Sequence, residues 1–145
     1  PNVVVAAVVE RDGKFLVVEE HTSDGVRFNQ PAGHWESHET LFEAVVRETL
    51  EETGYHFRPT ALVGIYRWAP PGKPITYLRF AFRGDLIGKE ENARLDDGII
   101  GPQWLSVEEL AACPGKHRSP LVMRVIDDYR AGKSYPLELI AHVES

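Results

Sequence analysis

Cysteine is almost absent from this chain of 145 residues: Cys113 stands alone, which leaves no disulfide framework and no cysteine zinc site. A reducing, cytoplasmic setting is the expectation that follows. Positive charge is scarce too. Lys and Arg number 16 against 22 Asp and Glu, and the net charge of -6 argues against a nucleic-acid polymer as partner. Small anionic substrates remain admissible, because a bound metal reverses the local sign. Long hydrophobic runs are missing as well. The longest, Val3 to Val9, is far too short to span a bilayer, so neither a membrane segment nor a signal peptide is expected. Repeats, low-complexity tracts and linkers are also lacking. What remains is an ordinary globular composition, 43% hydrophobic and 26% charged, on a length that suits one domain over residues 1–145. A monomer or homodimer acting on a small molecule is the simplest state.

The informative stretch runs from Gly33 to Tyr55, GHWESHETLFEAVVRETLEETGY. Thr40 followed three residues later by Glu43 forms a capping box, and Gly54 supplies the left-handed residue that ends a helix. Between them Phe42, Val45, Val46, Thr49 and Leu50 recur at helical spacing as one mostly apolar stripe. At 100° per residue Glu48, Glu51 and Glu52 fan out together on the opposite, exposed side, with Arg47 beside them. Three crowded carboxylates repel one another unless a cation sits between them. Hard divalent cations take oxygen ligands, and magnesium keeps several waters that a phosphate can replace. An adjacent arginine can hold a carboxylate in a forked hydrogen bond and fix its direction. A solvated acidic face would show the same three glutamates, so the helix alone leaves both readings open.

The spacing of the whole stretch decides between them. Gly33, five residues, Glu39, seven residues, Arg47-Glu48, then Glu51-Glu52 and Gly54 resembles the Nudix box. Seven fixed positions match, each a residue type used at under ~10%, so chance gives less than about one match in ten million starting positions. Thr49 and Tyr55 stand where that family usually has aliphatic residues; both are packing positions. The resemblance implies an α/β/α sandwich with a mixed central sheet. It also implies Mg²⁺, for which Mn²⁺ can substitute, held by Glu48, Glu51, Glu52 and the Gly33 carbonyl.

Along the chain, Val3 to Val9 reads as a strand buried on both faces, and Lys14 to Glu20 as the returning strand of a hairpin. His21 to Val26 reads as a polar loop. Ala61 to Trp68 and Ile75 to Gly84 read as strands; the second alternates, with Leu78, Phe80 and Phe82 on one face and Tyr77, Arg79, Ala81 and Arg83 on the other. Gln103 to Leu105 is a short strand, and Ser106 with Glu109 caps a short helix. Ser119-Pro120 opens a last helix buried through Leu121, Val122, Val125, Ile126 and Tyr129. A tail from Tyr135 to Ile140 packs back on the domain.

Outside the box, Asp96 and Asp97 lie in an acidic loop, which reads either as a solvated turn or, by the resemblance, as the source of a general base, with Asp97 the candidate. Arg79 and Arg83 with Tyr77 read either as the solvent face of an edge strand or as a basic, aromatic wall for phosphates. Trp35, Trp68 and Tyr66 are candidates to stack on a planar base, with core packing the alternative expected for at least one of them. His34, at the mouth of the box, is a candidate substrate contact.

Four further stretches, around Phe28–His34, Leu78–Phe80, Arg118–Val122 and Tyr135–Glu138, resemble one bacterial branch of the family, the NudJ-type phosphatases. That branch implies nucleoside tri- and diphosphates, and hydroxymethylpyrimidine or thiamine pyrophosphate, as substrates, with orthophosphate released. Two alternatives stand beside it: hydrolysis of another nucleoside-diphosphate-linked compound, such as ADP-ribose or a diadenosine polyphosphate, and a non-catalytic nucleotide-binding module. Modules of that kind usually lose box acids, and here all are present.

Overall fold

The structure is a computed structural model that describes residues 1–144. The β-branched run at the start goes where a segment with no polar face must go, into the middle of a sheet. Strand β1 (Asn2–Val8) lies between β5 (Ala32–His34), to which it is antiparallel, and β7 (Tyr77–Lys89), to which it is parallel. Beyond β7 comes β6 (Tyr55–Trp68), antiparallel, and the order β5-β1-β7-β6 makes a mixed sheet. A second sheet is built on β3 (Lys14–Thr22). It has β8 (Ile99–Ser106) on one edge, and β2 (Glu10–Arg11) and β4 (Gly25–Asn29) in succession along the other.

Helix α1 (Leu41–Thr53) covers one face of the first sheet. Ala44 and Val45 pack there with Val5, Ala7, Phe57, Leu62 and Phe82. Helix α3 (Leu121–Arg130) covers the other face, where Leu121, Val125 and Ile126 meet Val8, Val63 and Ala81, with Leu110 from the short α2 (Val107–Ala111). The strands are apolar on both faces because both faces are covered. This is the expected α/β/α sandwich with a mixed sheet. Among the described residues, no helix is long and apolar enough to cross a membrane.

Both capping boxes form. Thr40 Oγ1 accepts the Glu43 N–H at 3.0 Å while the Glu43 carboxylate accepts the Thr40 N–H at 2.8 Å, and Ser106 and Glu109 repeat the exchange. Gly54 ends α1 at φ 79°, a conformation that costs a residue with a Cβ roughly 1–2 kcal/mol. Thr49 is fully buried, and its hydroxyl donates to the Val45 carbonyl at 2.7 Å, so the departure from an aliphatic residue leaves no polar group unpaired.

Three expectations need correction. Residues 21–26 are no loop: β3 and β4 run on as a hairpin with His21 opposite Val26, turning only at Ser23-Asp24. Polar side chains hid strands whose pairing rests on the backbone. Helix α3 starts one residue late, with Pro120 at the cap, although Ser119 Oγ still accepts the Leu121 N–H at 3.1 Å. Tyr66 is no stacking surface. It is 8% exposed, and its hydroxyl donates to Asp128 at 2.8 Å, tying β6 to α3. We expect Tyr66→Phe to lower stability by about 1–2 kcal/mol in denaturant unfolding while kcat and KM stay at wild-type values.

Candidate functional site

The acidic side of α1 does not face open water. Strand β5 lies across it, leaving Glu48, Glu51 and Glu52 half-buried. Arg47 sits at the centre of this face and spends every N–H it has. Nε and Nη2 fork onto Glu39 at 3.0 and 2.7 Å. Nη1 reaches Glu48 at 2.6 Å and Glu51 at 2.7 Å, and Nη2 also reaches the His34 carbonyl at 3.0 Å. The forked contact therefore falls on Glu39, and Glu48 and Glu51 share a single nitrogen. Glu39 in turn accepts the Glu36 N–H at 3.1 Å, and its carbonyl accepts Trp35 Nε1 at 2.7 Å, bracing the loop ahead of the helix.

Glu52 points the other way, under the sheet edge, where Oε1 accepts the Ala32 N–H at 2.9 Å. Burial pushes its carboxyl up to about 8, with Glu48, Glu20 and Asp96 adding repulsion. Burial likewise raises Glu48 to about 7 against the pull of Arg47. Glu48 lies flat against Gly33: the place that a β-carbon on Gly33 would occupy is already taken by the Glu48 carboxylate. Any larger residue would have to displace that carboxylate.

These residues suit a hard divalent cation. Two half-buried carboxylates that resist ionisation on their own, set beside the Gly33 main chain, are a donor set that a cation would stabilise. Among the described residues, though, no three acids converge on one point, because Arg47 and Ala32 hold the oxygens apart. A cation would engage Glu48, Glu52 and the Gly33 main chain first, and Glu51 only after its contact with Arg47 shifts.

Gly33, Glu48 and Glu52 open onto a cleft of about 560 Å³. Its other wall carries Arg79, Trp68 and Tyr77, and His34 also lines it, so these four candidates meet Glu48 and Glu52 in one space, while Glu51 and Arg47 fall outside the lining. Trp68 and Tyr77 face each other across β6 and β7 and stack at 5.7 Å with 18° between the rings. Arg79 is not on an edge strand. It is 6% exposed in the sheet centre, its guanidinium held by Gln30 Oε1 at 3.0 Å and Asn29 Oδ1 at 3.3 Å.

Other candidates fall outside the cleft lining. Arg83 lies over the Tyr129 ring at 4.2 Å, and Trp35 is tied to Glu39. Asp97 is exposed, whereas Asp96 is linked to the helix through its N–H to the Glu51 carbonyl at 3.1 Å. Burial and the Glu51 charge raise the Asp96 carboxyl. Sequence reasoning missed Glu20 and Arg118, which pair at 3.0 Å within the cleft. They stand 98 positions apart, and no local pattern announces the contact.

The helix with its acids, set on a mixed sheet between two helical layers, defines a Nudix site, and the model of the NUDIX domain matches residues 1–125; the chain belongs to that family of hydrolases. Phosphatase NudJ of Escherichia coli (strain K12) is 43% identical over 140 residues, 97% of this chain and 90% of that protein. The solved structure of a NUDIX hydrolase from Nitrosomonas europaea is 46% identical, with a TM-score of 0.95 over 99% of this chain and 97% of that one. MutT NUDIX hydrolase from Burkholderia pseudomallei, 17% identical, shares the fold alone, with a TM-score of 0.74 over 88% of this chain and 97% of that one.

Two outcomes follow from this geometry. Arg47→Lys keeps the charge but not the fork, and five hydrogen bonds cannot be met by one ammonium; turnover should fall by about 100-fold or more. A rate near wild type would mean that Arg47 contributes charge alone. The raised carboxyls set a pH dependence for the metal-free chain. The unfolded state releases these protons near 4.5 but the folded state only near 7 to 8, so stability should decline across that window as pH rises. Added Mg²⁺ should offset the decline, increasingly so towards pH 8, as thermal melting with and without chelator would record.

Proposed function

We propose that this chain is a divalent-metal-dependent phosphoanhydride hydrolase, acting on nucleoside tri- and diphosphates and on pyrophosphates of small planar pyrimidines, with orthophosphate released. The observation that carries the reading is the single cleft in which Glu48, Glu52 and Gly33 face Arg79 and the Trp68–Tyr77 stack. The likeness to Phosphatase NudJ over 97% of the chain supports the choice of product.

In this reading Mg²⁺, with Mn²⁺ as substitute, neutralises the phosphates and activates phosphorus towards water. Glu48, Glu51, Glu52 and the Gly33 carbonyl hold it, and Arg47 with Glu39 fixes where Glu48 and Glu51 stand. A box glutamate accepts the proton of the attacking water; exposed Asp97 would need its loop to move before serving that role. The aromatic pair offers an outer ring face to a flat base, and His34 lines the same cleft. Stacking alone reads no base edge, so guanine and adenine substrates should react at comparable rates.

Product analysis tests the reading. GTP and GDP should each yield orthophosphate and end at GMP, and chelator should stop the reaction. Pyrophosphate as the sole first product from GTP would remove the NudJ-like assignment and leave the family mechanism standing. Glu52→Gln and Glu48→Gln should each lower kcat by a factor on the order of 10³ or more with the fold intact by circular dichroism, since a neutral amide cannot take over the carboxylate's charge. Near-normal rates in either variant would disprove the metal platform.

A further inference from the structure

Two arginines stand close to the box glutamates, one half-buried and one buried, and they are treated in opposite ways. Arg47 has all five N–H groups in use and touches three carboxylates. Arg79 is the more deeply buried, at 6% exposed, yet its partners are two neutral amide oxygens, and its Nε is buried with no acceptor at all. Among the described residues no carboxylate lies within ion-pair distance of it. The nearest acids it senses, Glu52 and Glu20, are committed elsewhere, to the Ala32 N–H and to Arg118. Burying a cation without a counter-charge is unfavourable, and a structure keeps one only if something offsets the cost.

The Gln30 amide is held so that only its oxygen can face the guanidinium. Gln30 is 2% exposed and donates Nε2 to the Val122 carbonyl at 2.8 Å, which turns Oε1 onto Arg79. An amide oxygen fixes the direction of a guanidinium; it does not cancel the charge. A carboxylate in the same place would do both.

We propose that Arg79 is an anion receptor in the floor of the cleft, a site for a phosphoryl group of the substrate, and that Asn29 and Gln30 are positioning residues that aim it while leaving its charge unspent. The identity of the anion rests on the phosphoanhydride reading above. The receptor itself does not, because it needs no metal and no turnover. Burial pulls Arg79 down only to about 10, so it remains a cation throughout the neutral range. A phosphate oxygen beside it supplies the missing counter-charge and takes up donors that the two amides leave free.

The test is titration of the 145-residue chain with inorganic orthophosphate by calorimetry at neutral pH in excess chelator. The wild type should bind. Asn29→Asp is the decisive variant: it is isosteric, places a carboxylate where Oδ1 now sits at 3.3 Å, and leaves Arg79 and its other contacts in place. It should weaken phosphate binding by about tenfold or more, raise Tm by giving the buried cation a partner, and raise KM for GDP more than it lowers kcat. Arg79→Met should lose phosphate binding to the same degree. A merely structural Arg79 would give a higher Tm in Asn29→Asp with phosphate affinity unchanged. That result overturns the proposal, as does wild-type affinity in Arg79→Met, or a wild type that takes up no phosphate at tens of millimolar. If phosphate binds as described but no phosphoanhydride is hydrolysed with Mg²⁺ present, the receptor stands and the function proposed above fails.

Discussion

One guanidinium makes the acidic face of α1 possible. Glu39, Glu48 and Glu51 would otherwise repel one another beside a covering strand, where screening by water is weak. Arg47 meets all three and the His34 carbonyl as well, so it joins the helix to the loop before it and to the end of β5. Because its donors are all engaged, neither the loop nor the acids can turn without breaking contacts elsewhere. The box spacing is the sequence imprint of this one arrangement: Glu39, Arg47, Glu48 and Glu51 sit where a single planar fork reaches them.

Glu52 belongs to a different balance. It is held by one backbone N–H and lies deeper, so burial dominates its chemistry, where Glu48 has an arginine to oppose that cost. The acids of one helical turn are thus divided between an ion-paired set and a desolvated one. The close approach of Glu48 to Gly33 adds a steric condition, which brings the carboxylate against main chain instead of another side chain.

Much of this was legible in the chain. The ends of α1 and α2 follow from Thr40, Glu43, Gly54, Ser106 and Glu109, since capping is chemistry between residues three apart. The box named its own acids for the same reason: its members lie on one helix or the loop leading into it. Reading failed where contacts join distant residues. The acid face was expected to be exposed because nothing in residues 33–55 shows that β5 folds back over it. Arg79 fitted an edge strand until the parallel pairing of β1 and β7 put it at the centre of the sheet, and Arg83, on the same face by alternation, was drawn off to Tyr129. Glu20 and Arg118 lie in unremarkable segments, and only the tertiary fold gives them a shared role.

The parallel pairing has a consequence for the birth of the molecule. Val5 finds its place opposite Phe80, and between them the chain must complete a hairpin, the α1 segment and all of β6. On a ribosome that emits the amino end first, β5 can close one edge of β1 early, but the other edge stays open, with both faces apolar, until β7 has been made. Contacts so distant along the chain slow folding, and an unpaired apolar strand is a template for association with its neighbours. The segment that ends as the most protected strand of the sheet is, during synthesis, the one most in need of shelter, and nascent-chain chaperones that favour short apolar segments would meet it first.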